Sequence, residues 1–358
     1  MTTRAMTAEE AAWVREHARA GGPPVVSTPL SVGEVCAGYG GLGMGLGMVV
    51  PTRVAWVADV EPGPRRLLAH RFPGVPNLGD ITRIDWARVE PVDVLCGGTP
   101  CQDLSHAGLR AGMGPGTRSG LWESMARAVE IIRPGAVVWE NVAGVRSASA
   151  WSRSVSGHGG VGPGGGRVGD RPRLRALGRV VGDLAGLGYD AQWVSVRASD
   201  VGAPHRRERV FLLAAPADAE GVGLHWGGGP RGRGAGPADG GGRPVSRRLG
   251  AWAPAVARWE AVLGRPAPAP SEPAPGRGSG RRLSAAFAEW MMGLPGGWVT
   301  GVPGLSYTRQ IRLLGNGVVP QQAAHALTVL ASWSRQDPPD DDGHGTPSLL
   351  DLLEGVSA

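Results

Sequence analysis

Short apolar runs alternate with amphipathic stretches over most of the first two-thirds of the chain. Leu30-Ser-Val-Gly-Glu-Val-Cys36 reads as a strand leading into a glycine-rich turn, and Arg53-Val-Ala-Trp-Val-Ala-Asp59 as a second strand. Residues 92–96 and 136–140 are apolar enough to be buried strands, and residues 189–196 and 209–214 form two more. Helical spacing appears from Met44 onward, over 64–72 with proline at its start, over 120–132, and over 174–187 before Gly188. Strands alternating with helices predict an α/β fold built on a doubly wound sheet.

Two segments break this rhythm and set the domain boundaries. Residues 1–29 form an N-terminal helical extension, opened by the capping-box pair Thr7 and Glu10. Residues 30–215 carry the sheet, with a Ser/Gly/Arg-rich insertion at 147–172 that lacks bulky apolar residues and is expected to be flexible. Residues 216–282 are rich in Gly, Pro and Arg and hold one helix-like stretch, 249–263. Regular structure returns over 283–333, with helices at 283–292 and 320–333, and the acidic tail 334–358 is expected to be disordered.

Composition narrows the partners. The 358 residues allow a large core, and 60 Gly with 31 Pro match the loop-rich segments. All 37 basic residues are arginine against 31 acidic ones, a formal charge of +6. GC-rich coding is the favoured explanation of an all-arginine set; arginine's planar fork nevertheless suits phosphate, so a polyanionic partner is compatible with this balance. Three cysteines give no disulfide framework, no Cys/His cluster has zinc spacing, and no stretch is apolar enough to span a bilayer. The reading is therefore a cytoplasmic, monomeric protein with no metal and no membrane partner.

The chemistry gathers where strands should end. Gly97-Gly-Thr-Pro-Cys-Gln-Asp-Leu-Ser-His106 follows a buried strand, the place where open α/β sheets bind ligands. Gly97 and Gly98 are expected to allow a sharp turn, and Pro100 to present Cys101 as an accessible thiol and nucleophile. Ala37-Gly-Tyr-Gly-Gly-Leu-Gly43 spaces Gly38, Gly40 and Gly43 as in nucleotide-binding turns. Glu61, at the end of the second strand, stands where an acid can bind ribose hydroxyls, or is a solvated strand-end acid. Asp80 reads first as a turn or cap aspartate. Glu140 closes an apolar strand, as a proton donor with raised pKa or as an ordinary carboxylate; the residues alone leave both open. Arg207 and Arg209 share a face by the two-residue period, as an anion or carbonyl site or as a basic turn paired with Glu208. Gly315-Asn-Gly-Val-Val-Pro320 reads only as the turn opening the last helix, and Cys36 and Cys96 as small core residues on strands.

In this order the motifs resemble the DNA cytosine-5 methyltransferase family: Glu34-Val-Cys-Ala-Gly-Tyr-Gly-Gly-Leu, Asp59-Val-Glu61, Gly79-Asp80, Gly97-Gly-Thr-Pro-Cys-Gln, Arg118-Ser-Gly-Leu-Trp, Glu140-Asn-Val, His205-Arg-Arg-Glu-Arg209 and Gly315-Asn-Gly-Val-Val-Pro. The resemblance implies a Rossmann-like S-adenosyl-L-methionine-dependent sheet with a small, loop-rich target-recognition domain at 216–282. It implies transfer of a methyl group to C5 of a flipped-out cytosine in double-stranded DNA, with Cys101 as nucleophile. By that likeness Glu140 binds the N3 edge in protonated form, Arg209 contacts O2, and Arg207 sits near the thiol or a phosphate. Ala37, Gly38, Tyr39 and Gly41 surround the methionine part of the cofactor, and Glu61 binds the ribose. Asp80 and Ile81 lie near the adenine, Pro100 and Leu121 along the wall, and Asn316 and Val318 close the pocket. Gln102, Ser105, Arg118 and Arg206 are the implied DNA contacts, and a cognate restriction endonuclease the implied partner. Two positions depart from the family pattern: Cys36 stands for the usual Phe and His205 for the usual Gln. Competing readings are a catalytically weak DNA-binding protein on this scaffold, an RNA cytosine-5 methyltransferase, and a nicotinamide-dependent dehydrogenase that leaves Pro100-Cys101-Gln102 unexplained.

Overall fold

The computed structural model describes residues 28–99, 121–151, 173–217, 250–275 and 280–333. The first half of the chain lays down β1 (Leu30–Val35), α1 (Gly41–Gly47), β2 (Thr52–Ala58), α2 (Pro62–Arg71), β3 (Val94–Gly97), α3 (Leu121–Ile132) and β4 (Ala136–Val142). Then come β5 (Ser149–Trp151), β6 (Arg173–Arg175), α4 (Ala176–Gly186), β7 (Tyr189–Arg197) and β8 (Glu208–Pro216). The remainder holds α5 (Ala253–Leu263), β9 (Ser271–Pro273), β10 (Arg281–Leu283), α6 (Ala285–Met291), α7 (Tyr307–Asn316) and α8 (Pro320–Trp333).

Six strands form one sheet in the order β2-β1-β3-β4-β8-β7. The pairs among β2, β1, β3 and β4 are parallel, and β8 runs antiparallel to both β4 and β7. Because β2 and β3 lie on opposite sides of β1, the chain reverses its direction of winding there. That switch point opens a crevice beyond the carboxyl ends of β1 and β3. The central strands are near-continuous apolar runs, β3 buried throughout and β4 at all but its last residue, as a sheet covered on both faces requires. One face packs Trp56, Trp122, Met125, Trp139, Val180 and Leu184, which seats α3 and α4. The other packs Leu42, Leu46, Phe211, Ala323, Leu327 and Leu330, which seats α1 and α8. The doubly wound α/β architecture read from the pattern is the architecture observed.

The deviations from the sequence reading have local causes. Helix α1 starts at Gly41 rather than Met44, although four of its seven residues are glycine. Its intrinsic propensity is poor, and packing supplies what propensity does not: a side chain at Gly45 would strike Ala323 and the Pro320 carbonyl of α8. Helix α4 starts at Ala176 because residues 173–175 pair with β5 instead. Helix α5 begins at Ala253, with proline in its first turn, rather than at residue 249. It is joined to α6 through Trp259, whose Nε1 donates to the Trp290 carbonyl at 2.9 Å. Both tryptophans belong to a third apolar cluster with Tyr39, Leu67, Leu68, Leu294, Leu313 and Leu314, which brings α2, α5, α6 and α7 together at the crevice. The extension 1–27, the insertion over 152–172, residues 218–249 and the tail from 334 onward lie outside the described residues.

Candidate active site

The crevice holds a cavity of about 720 Å³, bordered by the turn after β1, the ends of β2, β3 and β4, and helix α7 with the turn that follows it. This volume is within the range of roughly 300–1,000 Å³ typical of small-molecule sites.

One half is built on the glycine turn. Gly38 and Gly40 have φ of 59° and 81°, which glycine adopts freely, and the Gly38 N–H donates to Asp59 Oδ2 at 2.9 Å. Cys36 lies past the end of β1 rather than on it. It takes a left-handed φ of 52°, is half-buried and borders the cavity. Burial, with Asp59, Asp80 and Glu34 nearby, pushes its thiol well above the usual range. Glu61 does not end β2 but stands at the N-cap of α2, and its carboxylate meets Arg312 of α7 at 3.1 Å across the mouth of the cavity. Asp80 does two things: it accepts from the Thr82 N–H at 3.0 Å and hydroxyl at 2.8 Å, which lowers its pKa, and it also borders the cavity beside buried Ile81. Ala37, Gly38, Gly41, Leu121, Asn316 and Val318 border the same space. Beneath the turn, Glu34 accepts backbone N–H groups of Gly43 and Leu42, and burial pushes its carboxyl up to about 8.

Tyr39 is fully buried and points away from the cavity wall it supports. Its hydroxyl donates to the Val318 carbonyl at 2.7 Å, and its ring fills the space that a side chain at Gly317 would need. The Tyr39 carbonyl in turn accepts from Trp298 Nε1 at 2.9 Å. Trp298 sits in a loop wrapped around buried Glu289, which accepts from the Gly297, Val299 and Thr300 N–H groups.

The other half is built on β3 and β4. Glu140 is buried, and its Oε1 lies 2.9 Å from Arg209 Nε. Burial raises the Glu140 pKa, while Arg209 and Arg207 work against the rise. Gly97 ends β3 as a strand residue and neither Gly97 nor Gly98 has positive φ; the chain from Pro100 lies outside the described residues. The two glycines are small because of what lies beside them. A side chain at Gly97 would strike Val35, and a Cβ at Gly98 would stand 2.9 Å from Glu140 Oε2. Thr99 is fixed from β4, its carbonyl accepting from Asn141 Nδ2 and its hydroxyl from Trp139 Nε1, both at 2.9 Å. Pro100, Cys101, Gln102, Ser105 and Arg118 lie outside the described residues.

The two arginines after β7 diverge. Only Arg209 is on β8, and it faces Glu140. Arg207 precedes the strand and donates from both terminal nitrogens to the carbonyls of Gly315 and Gly317, each at 2.7 Å. Arg206 is exposed, and His205 Nε2 is held at 3.0 Å from the Met291 carbonyl. Sequence reasoning missed Asn141, Trp298, Glu289 and the structural part of Tyr39. Only Asn141 carried a local signal, its place beside Glu140 in the Glu-Asn-Val motif.

Comparison with known proteins finds methyltransferases. A DNA N-6-adenine-methyltransferase of Escherichia phage P1 is 34% identical over 219 residues, covering 52% of this chain and 28% of that protein. The type II methyltransferase M.NlaIV of Neisseria lactamica is 29% identical over 166 residues, covering 46% of this chain and 35% of the other. The chain thus spans about a third of the length of these relatives. The fold is similar to that of the S. pombe Dnmt2 methyltransferase, with a TM-score of 0.55 at 14% identity over 85% of this chain and 99% of that one. Residues 30–224, more than half the chain, match the C-5 cytosine-specific DNA methylase family, and the chain belongs to that family.

Proposed function

We propose that this chain is a DNA cytosine-5 methyltransferase that uses S-adenosyl-L-methionine and works through a covalent adduct at Cys101. The observation that carries the reading is Glu140: a buried carboxyl with raised pKa at the edge of the cavity, its Oε1 held 2.9 Å from Arg209 Nε. Such a group is protonated more readily than a surface acid and can face the N3 edge of a cytosine, with Arg209 beside it for O2. Thr99, two residues before Cys101, is tied to the strand that carries Glu140, which favours a thiol delivered to the same pocket.

The cavity fits the cofactor. It combines close backbone approach at Gly38 and Gly41, a carboxylate at Glu61, and an apolar wall at Ile81 and Leu121. Ala37, Gly38, Gly41, Glu61, Asp80, Ile81, Pro100, Leu121, Asn316 and Val318 would hold S-adenosyl-L-methionine, which supplies an electrophilic methyl group, with Tyr39 behind the wall rather than on it. The Cys101 thiolate bonds to C6 of the cytosine while the Glu140 carboxyl stabilises the ring at N3, so that C5 becomes nucleophilic. Methyl transfer to C5 would leave the donor as a neutral thioether; removal of the C5 proton by solvent, with expulsion of the Cys101 thiolate, would then restore the aromatic ring. The base must leave the duplex to reach this pocket. Residues 216–282 would choose the target site, with Gln102, Ser105, Arg118 and Arg206 along the DNA, and the type II relatives suggest a role beside a restriction endonuclease.

Methyl transfer from the tritiated cofactor to duplex DNA, followed by nucleoside mass spectrometry, tests the reading. The expected product is 5-methylcytosine, lost in Cys101→Ser; N6-methyladenine, or no product at all, would overturn it. A 5-fluorocytosine duplex should trap a covalent complex with the wild-type chain.

A further inference from the structure

Asn316 is exposed, ends α7 and borders the cavity; the Gly317 N–H closes the last helical hydrogen bond, to the Leu313 carbonyl at 3.0 Å, but the carbonyls of Gly315, Gly317 and Val318 are bound by side chains from elsewhere in the chain. The turn is held from outside. Arg207 reaches it from the end of the β7–β8 connection and binds the carbonyls on either side of Asn316, Gly315 and Gly317. Tyr39 reaches it from the glycine turn and binds the next carbonyl, Val318. Gly41 lies so close to that carbonyl that any side chain would collide with it. Arg207 is itself fixed: its own carbonyl accepts from Gln322 Nε2 of α8 at 3.0 Å, and the same amide bridges to the Val196 carbonyl at 2.7 Å. Arg207 therefore joins three things, the turn, the C-terminal helix and the electrostatic surroundings of Glu140 and Arg209.

We infer that Arg207 and Tyr39 are positioning residues that clamp the turn from Gly315 to Val318, so that Asn316 is presented to the cofactor at a fixed height in the cavity. The inference rests on the proposed use of S-adenosyl-L-methionine. It gives Arg207 a task different from a phosphate contact. A planar fork places one terminal nitrogen on each of the two carbonyls flanking one residue, whereas the single nitrogen of a lysine lacks that fixed two-point geometry. Tyr39 acts on the same turn through one neutral hydrogen bond. The clamp closes the wall of the methyl-donor site before any DNA arrives.

The test is calorimetric titration of S-adenosyl-L-methionine into the full chain without DNA, for wild type, Arg207→Lys and Tyr39→Phe. Melting temperature and the salt dependence of binding to a non-specific duplex are recorded alongside. Arg207→Lys should weaken cofactor binding about tenfold or more, the loss of one charged hydrogen bond. Tyr39→Phe keeps the buried ring and should weaken it about threefold to tenfold. In turnover, KM for the cofactor should rise more than kcat falls, and the duplex salt slope should stay unchanged. Unaltered cofactor affinity in both variants would overturn the inference. Accompanied by lower melting temperatures, it would mean structural support only. Accompanied by a salt slope shallower by about one in Arg207→Lys, it would mean a phosphate contact instead. Failure of the wild-type chain to bind the cofactor would overturn the functional reading, and the inference with it.

Discussion

Gly98→Ala adds one methyl group beside the proposed proton donor. The backbone there is compatible with alanine, since Gly98 does not have positive φ. The new Cβ would stand 2.9 Å from Glu140 Oε2, whereas ordinary contact begins near 3.4 Å. The carboxyl must therefore retreat by about half an ångström, away from β3 and against its pairing with Arg209 at 2.9 Å. A misplacement of ~1 Å at a reacting group can cost ~100-fold in rate, so a shift half as large should lower kcat about tenfold. Cofactor affinity should hold, because the glycine turn and the Asn316 turn are untouched. Single-turnover methyl transfer at saturating DNA and cofactor measures the rate, and calorimetry the affinity. Gly97→Ala is the control: its methyl would strike the Val35 side chain and carbonyl inside the sheet, so it should lower the melting temperature. A Gly98→Ala enzyme that turns over within twofold of wild type would refute the claim that the position of Glu140 limits the reaction.

Other consequences are open to measurement. Because the folded-state pKa of Glu34 is raised from 4.5 to about 8, stability present below pH 4.5 is lost as pH climbs through that window. Between pH 5 and 8, wild type should lose about 3 kcal/mol more in urea titrations than Glu34→Gln, and parallel curves would contradict the burial argument. Asn141→Ala strips the buried Thr99 carbonyl of its donor and should cost about 1–3 kcal/mol by chemical denaturation. Trp298→Phe removes the donor to the Tyr39 carbonyl and weakens the stacking of Arg71 over the ring at 5.0 Å. Cofactor binding should weaken by a factor of about two to ten in that variant, and an unchanged dissociation constant would show that the Glu289 loop does not brace the turn.

The sheet was legible because its strands are buried on both faces and so read as plain apolar runs, β3 and β4 above all. Helix α8 was readable to its ends because Pro320 marks the first turn. Helix α1 was not, since a glycine-rich heptad becomes helical only against α8, a partner far along the chain. The same distinction divides the site. Glu140 and the glycine turn sit at strand ends, where position in the pattern hints at chemistry. The reasons for Gly97 and Gly98 were invisible, because they depend on Val35 and Glu140 across neighbouring strands. Arg207 and Arg209 looked equivalent at a spacing of two. The strand begins between them, and the two guanidinium groups part company there.

The hydrogen bond from Tyr39 to Val318 joins positions 279 apart in the chain. During synthesis the glycine turn emerges early, but the wall facing it does not exist until α7 and the start of α8 have left the ribosome. Helix α8 also covers one face of the sheet and packs on α1, so that face of the sheet and the wall of the cavity are completed together. One late segment thus closes the cavity and seats the helix beneath it, so a substitution at this contact is felt on both sides of the crevice.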